Sequence, residues 1–271
     1  MKTKMQMIWS LTRREVIAKF RSIWLYLLIS LVCFAAILFG NGFIRSFQTE
    51  TVLVSNGPLS ALNAGVLLLL GLVAGVRLAG SLSWEREHRT LEVLLVGPAT
   101  HATVIAAKFL AEALVIVVVL GCYGLFLLLG QPLGQGVLTF GDAGSLAAWA
   151  VFILPTMALG LLVSSLFSTV RAAVVAFLVF FGLLLLIEVL AIWLAPLPPT
   201  EMSLAQMFLR SALEIVAPAR EFGSAIAQLV EPVQIYLGRG FVDPQSVAIA
   251  LALSLVTLGL AVVVSRGRPL Q

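Results

Sequence analysis

The chain has 271 residues, 61% of them hydrophobic and 11% charged, against about 25% charged in an ordinary soluble domain. That composition excludes a water-soluble core, so the useful count is of apolar runs that reach the roughly 20 residues needed to cross a hydrocarbon layer. The net charge of +4 is distributed as membrane topology requires, and no nucleic-acid partner is expected.

The opening stretch MKTKMQMIWSLTRREVIAKFRS is basic like a signal peptide. The apolar segment behind it runs too long, and no small-residue cleavage site follows, so it reads as retained. Within residues 1–22, Met5, Trp9, Val16 and Phe20 recur near helical spacing among basic residues. This predicts an amphipathic helix in the headgroup layer, either a lipid anchor or a docking element. The first crossing runs from Ile23 to Gly40 without a charge, with Trp24 and Tyr26 at the interface. Five more crossings are predicted at Leu59–Ser83, Val104–Leu129, Leu146–Phe167, Ala172–Leu194 and Val247–Val264. The expected fold is therefore all-α, a polytopic protein with six transmembrane helices in one membrane domain covering residues 1–271.

Basic residues near crossings are retained in the cytoplasm. One side collects Lys2, Lys4, Arg13, Arg14, Lys19, Arg21, Arg86, Arg89, Lys108, Arg171, Arg266 and Arg268; the other has Arg45, Arg210, Arg220 and Arg239 among many carboxylates. Both termini are expected in the cytoplasm, with a cytoplasmic loop over 84–103 and an extracytoplasmic segment over 195–246. That outer segment holds two amphipathic stretches, starting near Leu204 and Phe222 and punctuated by Pro218 and Pro232. They predict two short surface helices before the last crossing.

Charges inside crossings are expensive and usually face protein or water. Glu188, in the outer half of the fifth crossing, is a candidate for a translocation path or for a structural pair. Arg77 is expected to snorkel to the inner headgroups, and Glu112 to pair locally with Lys108 four residues before it. Gly71 and Gly75 form a G-x-x-x-G that allows close helix approach, within the chain or between copies.

The loop from Ser81 to Ala111 reads SLSWEREHRTLEVLLVGPATHATVIAAKFLA. Trp84 marks an interface, and Glu85, Arg86, Glu87, His88 and Arg89 are expected to be solvated. Thr90 is placed to cap a short helix over Leu91–Val96 with Glu92 in its first turn; Gly97 and Pro98 end it, and Thr100 caps the next helix. The pattern W-E-R-E-x-x-T-L-E-x-L-L-x-x-P, followed by Lys108 in K-F-L-A, resembles the type-2 ABC exporter permeases, nearest to the gliding-motility and multicopper-enzyme-maturation group. The resemblance implies that the short helix is a coupling helix seated in a cleft of a separate ABC ATPase. It implies Glu85, Arg86, Glu87, Arg89, Thr90 and Glu92 as ATPase contacts, with Leu91, Leu94 and Leu95 packing the helix. It further implies two ATPase copies, a second permease copy in a homodimer or homologous heterodimer, and residence in the inner membrane of a bacterial cell.

No G-x-x-x-x-G-K-[ST] loop is present to cradle phosphates, so ATP and Mg belong on the partner and this chain binds no cofactor of its own. Cys33 and Cys122 lie in apolar runs with no disulfide framework, and no Cys/His/Asp/Glu cluster has metal-site spacing. With two histidines in one segment and no nucleophile elbow, the chain is not expected to be an enzyme. The function expected is the permease subunit of an ATP-driven exporter. The rivals are a mechanotransmission or scaffold subunit, and a transporter driven by an ion gradient, which would need several buried ionisable groups.

Overall fold

A computed structural model describes residues 2–50, 58–90, 100–130, 150–194 and 244–267. The described residues form seven α-helices and no strand. They are α1 (Lys2–Phe20), α2 (Ile23–Glu50), α3 (Pro58–Glu87), α4 (His101–Gly130), α5 (Ile153–Leu166), α6 (Val170–Leu194) and α7 (Pro244–Gly267), with a 3-10 turn at Ala150–Phe152 leading into α5.

Local chemistry sets several of these boundaries. Pro58 and Pro244 open α3 and α7, where a missing N–H removes no helical bond. Ser22 separates α1 from α2, and its hydroxyl accepts the Trp24 N–H at 3.4 Å, as an N-cap does. The two helices meet at 66°. Tyr26 spans the corner by donating its hydroxyl to the Phe20 carbonyl at 3.0 Å, so the bend has a bonded origin. Thr100 caps α4 as expected from sequence: its hydroxyl accepts the Thr103 N–H at 3.3 Å, while the Thr103 hydroxyl accepts the Thr100 N–H at 2.8 Å. This is the reciprocal arrangement of a capping box, with threonine in the place of glutamate.

Five of the predicted crossings lie on helices; of the fourth, residues 146–149 fall outside the described residues and the α-helix covers Ile153–Leu166. Three described helical stretches are long and apolar enough to cross a membrane: Gly65–Glu87, His101–Leu129 and Val247–Gly267. A fourth is reached if the bent pair Met5–Phe20 and Ile23–Leu38 counts as one span. Ile153–Leu166 is a shorter apolar helix, whereas α6 is apolar over Val170–Leu183 and continues as helix to Leu194. At 1.5 Å per residue α5 alone is about 21 Å long, short of the ~30 Å hydrocarbon thickness.

That short helix sits at the centre of the packing, with its most extensive contacts to α3 and α7 and further contacts to α6 and α4. Along Ile153–Leu166 almost every side chain is buried, including Met157, Ala158 and Leu161. A helix apolar on all sides is one enclosed on all sides. The tightest crossing uses glycine on both helices. A Cβ on Gly160 of α5 would lie 2.4 Å from the Gly75 carbonyl oxygen of α3, and one on Gly75 would lie 2.1 Å from the Phe177 ring of α6. Gly75 therefore serves packing within the chain. The two predicted outer helices, which lie within 195–243, fall outside the described residues.

Candidate functional site

The segment Trp84–Thr90 closes α3 at the end of the bundle where α1, the start of α4 and the α5–α6 turn converge. The expectation that its charges are all solvated is corrected. Glu85 is 5% exposed, because it turns inward to α4, where its Oε1 lies 2.9 Å from the Lys108 ammonium. Arg86 is partly buried against the end of α5. Its Nη1 donates to the carbonyls of Ser165 at 2.8 Å, Phe167 at 3.3 Å and Ser164 at 3.4 Å. The Glu87 carboxylate accepts the Val170 N–H, the first of α6, at 3.2 Å.

Arg86 and Glu87 thus act on one turn with opposite signs. The cation meets the carbonyl end of α5 and the anion meets the amide end of α6, each on the side that its helix dipole favours. Deeper in the same contact, the Ser164 hydroxyl accepts the N–H groups of Leu82 at 3.0 Å and Ser83 at 3.1 Å. The end of α3 is fastened to the α5–α6 turn by backbone and side chain together.

Trp84, His88, Arg89 and Thr90 remain exposed, as does Glu87 apart from its cap. His88 stacks on Trp84 with ring centroids 4.3 Å apart, and its Nδ1 lies 2.9 Å from the Trp84 carbonyl oxygen. Arg89 has φ of 55°, in the left-handed region that glycine occupies freely at helix ends. Thr90 donates its hydroxyl to the Glu85 carbonyl at 3.2 Å, which folds the chain back over the helix end. Leu91, Glu92, Leu94 and Leu95 lie outside the described residues, as does the side chain of Glu188, whose backbone falls in α6.

A second feature was absent from the sequence reading. Six charged side chains on α1, α3 and α4 form two layers, each centred on α4. In the first, Lys108 stands between Glu85 of α3 at 2.9 Å and Glu15 of α1 at 3.9 Å. In the second, one turn further along α4, Glu112 stands between Lys19 of α1, in direct contact, and Arg77 of α3 at 3.4 Å. Glu112 is 2% exposed. One expectation is corrected here, since Glu112 pairs with Lys19 and Arg77 in place of Lys108; Arg77, expected to snorkel, has Glu112 as its partner. The i, i+4 spacing allows a Lys108–Glu112 pair, but each end is taken by partners from two other helices.

These layers fix α1. The residue pairs 15 with 108 and 19 with 112 rise together, so α1 runs parallel to α4. A slip of one turn would set Glu15 against Glu112, or Lys19 against Lys108, and like charges at such range are repulsive. Thr12, 1% exposed, adds a hydroxyl contact to the Ala107 carbonyl at 3.4 Å. The helix read from sequence as a surface element therefore has one face seated on α4, while Met5 and Trp9 stay exposed.

Among the described residues no group of His, Cys, Asp and Glu is placed to hold a metal ion. The family model described as ABC-2 family transporter protein matches residues 9–265. No curated protein matches the chain.

Proposed function

The chain belongs to the ABC-2 family of transporter proteins, membrane components that normally work with an ABC ATPase, and from that premise we propose that it is the permease subunit of an ATP-driven exporter. In this reading the six apolar helices α2 to α7 all cross the membrane, both termini are cytoplasmic, and two permease copies enclose the route on two ATPase copies. The membrane is the inner membrane of a bacterial cell.

The observation that carries the coupling part is the fastening of Trp84–Thr90. Its buried members face inward, Glu85 to α4 and Arg86 to the end of α5, while its exposed members His88, Arg89 and Thr90 face away from the bundle. An ATPase seated on the exposed part and on the following Leu91, Glu92, Leu94 and Leu95 would displace three helices at once. Glu85, Arg86 and Glu87 then serve as the transmission, with Arg89, Thr90 and Glu92 at the contact. Buried ion pairs are weak evidence for stability but hold register well, which suits a part that must move as a unit.

The test is charge reversal at the exposed positions, Arg89→Glu with Glu92→Lys. The tagged chain is expected to remain folded in detergent and to lose its ATPase on purification. Retention of the ATPase in equal amount would assign the contact to another surface.

A further inference from the structure

Lys108 has a partner in use and a second one in reach. Its ammonium lies 2.9 Å from Glu85 on α3 and 3.9 Å from Glu15 on α1. We propose that Lys108 is a tie with two positions, held by Glu85 at rest and taken over by Glu15 when the segment after α3 is drawn away from α4. Glu15 is then a positioning residue of the coupling movement, an assignment that rests on the permease reading above.

Three observations carry it. The first is that Glu85 is poorly satisfied where it stands. Its Oε2 is buried and has no hydrogen-bond partner among the described residues. A buried acceptor left unpaired carries a desolvation penalty, so the resting position of Glu85 is held by Lys108 and opposed by its own second oxygen. The second is that α1 cannot follow Glu85 when it leaves. Lys19 is held by Glu112 one turn deeper, and this keeps Glu15 opposite Lys108. The third is that a pull on the exposed segment reaches Glu85 directly, through the bond from the Thr90 hydroxyl to the Glu85 carbonyl.

Without Glu15 the moved state would leave a lysine ammonium, 9% exposed in its side chain, with no carboxylate of its own, since Glu112 one turn on is taken by Lys19 and Arg77. An uncompensated buried charge is strongly unfavourable. With Glu15 the ammonium shortens an existing 3.9 Å approach by a small rotation of a flexible stem, while Glu85 passes into water. Charge stays balanced in both positions, and the barrier between them is lowered.

The experiment uses the full chain co-purified with its ATPase, as wild type, Glu15→Gln and Glu15→Asp. At rest Glu15 makes only the longer contact to Lys108 and an exposed one to Arg14 at 3.6 Å, and exposed pairs contribute little, so Glu15→Gln is expected to bring down equal ATPase and to melt with the wild type. Its ATP turnover is expected to fall about tenfold, the rate equivalent of one charge-assisted hydrogen bond missing from the moved state. Glu15→Asp, which keeps the charge, is expected to recover most of that rate. Wild-type turnover in an intact Glu15→Gln complex overturns the proposal and leaves the permease reading standing. A wild-type chain that brings down no ATPase removes both.

Discussion

Arg86 and Glu87, consecutive at the end of α3, hold opposite sides of one turn. The guanidinium takes the last carbonyls of α5, and the carboxylate takes the first amide of α6 at 3.2 Å. Two neighbours of opposite charge thus join three helices, and a displacement of one helix end is passed to the other two.

Removal of the cation is expected to be the more damaging of the two changes. Arg86→Ala removes the guanidinium from the carbonyls of Ser165 and Phe167, while Ser164 keeps the Ser83 hydroxyl at 3.4 Å, and should lower stability by about 2 kcal/mol. Arg86→Lys, a point charge without the planar fork, should recover only part of it. Glu87→Gln should lower stability by about 0.5 kcal/mol, since it removes charge from an exposed helix start. Thermal unfolding in detergent ranks the three.

The glycine crossing separates rigid from yielding neighbours. Gly160→Ala drives a methyl into the α3 backbone at Gly75, while Gly75→Ala meets the ring of Phe177. Phe177 is fully buried and stacks on Phe181 with centroids 5.8 Å apart, so it has little room to turn. Both variants are expected to lower stability by about 1–3 kcal/mol. Gly75→Ala with Phe177→Leu should recover more of its loss than any side-chain change recovers for Gly160→Ala. A double-mutant cycle of unfolding midpoints measures this.

The deeper charge layer should behave as a unit. Glu112→Gln leaves the cations of Lys19 and Arg77 facing each other without a carboxylate and is expected to lower stability by about 3 kcal/mol. Combining it with Lys19→Met should cost less than the sum of the single changes, because the second substitution removes a charge already stranded. Additive losses would show that the three residues are not energetically coupled.

Arg89 allows structure and contact to be separated. Its φ of 55° strains a side-chain-bearing residue by about 1 kcal/mol. Arg89→Gly should therefore raise the unfolding midpoint slightly while weakening ATPase association. A variant that is more stable and equally well bound would remove the guanidinium from the contact.

Local features were legible in the sequence, and distant pairings were not. The Thr100 cap and the break between α1 and α2 follow from residues a few positions apart, and the described part of each apolar run is helical because about twenty apolar residues have few other solutions. The pattern offers Glu112 a partner on its own helix, Lys108, whereas its partners in the fold, Lys19 and Arg77, come from helices far away in sequence. By composition alone Glu85 belongs in water, as charge usually does. Its burial depends on Lys108 arriving from α4, which no spacing announces. The shortness of α5 was hidden in the same way, since its 3-10 entry at Ala150–Phe152 continues the apolar run without a break in composition.

The central claim, that this chain is a permease worked by a separate ATPase, is tested most directly by mild-detergent purification of the tagged chain from its native membrane, with identification and counting of its partners. An ATP-binding-cassette ATPase in equal amount, active in ATP hydrolysis, is the predicted result. An intact, folded chain that comes down without any ATPase would contradict the claim.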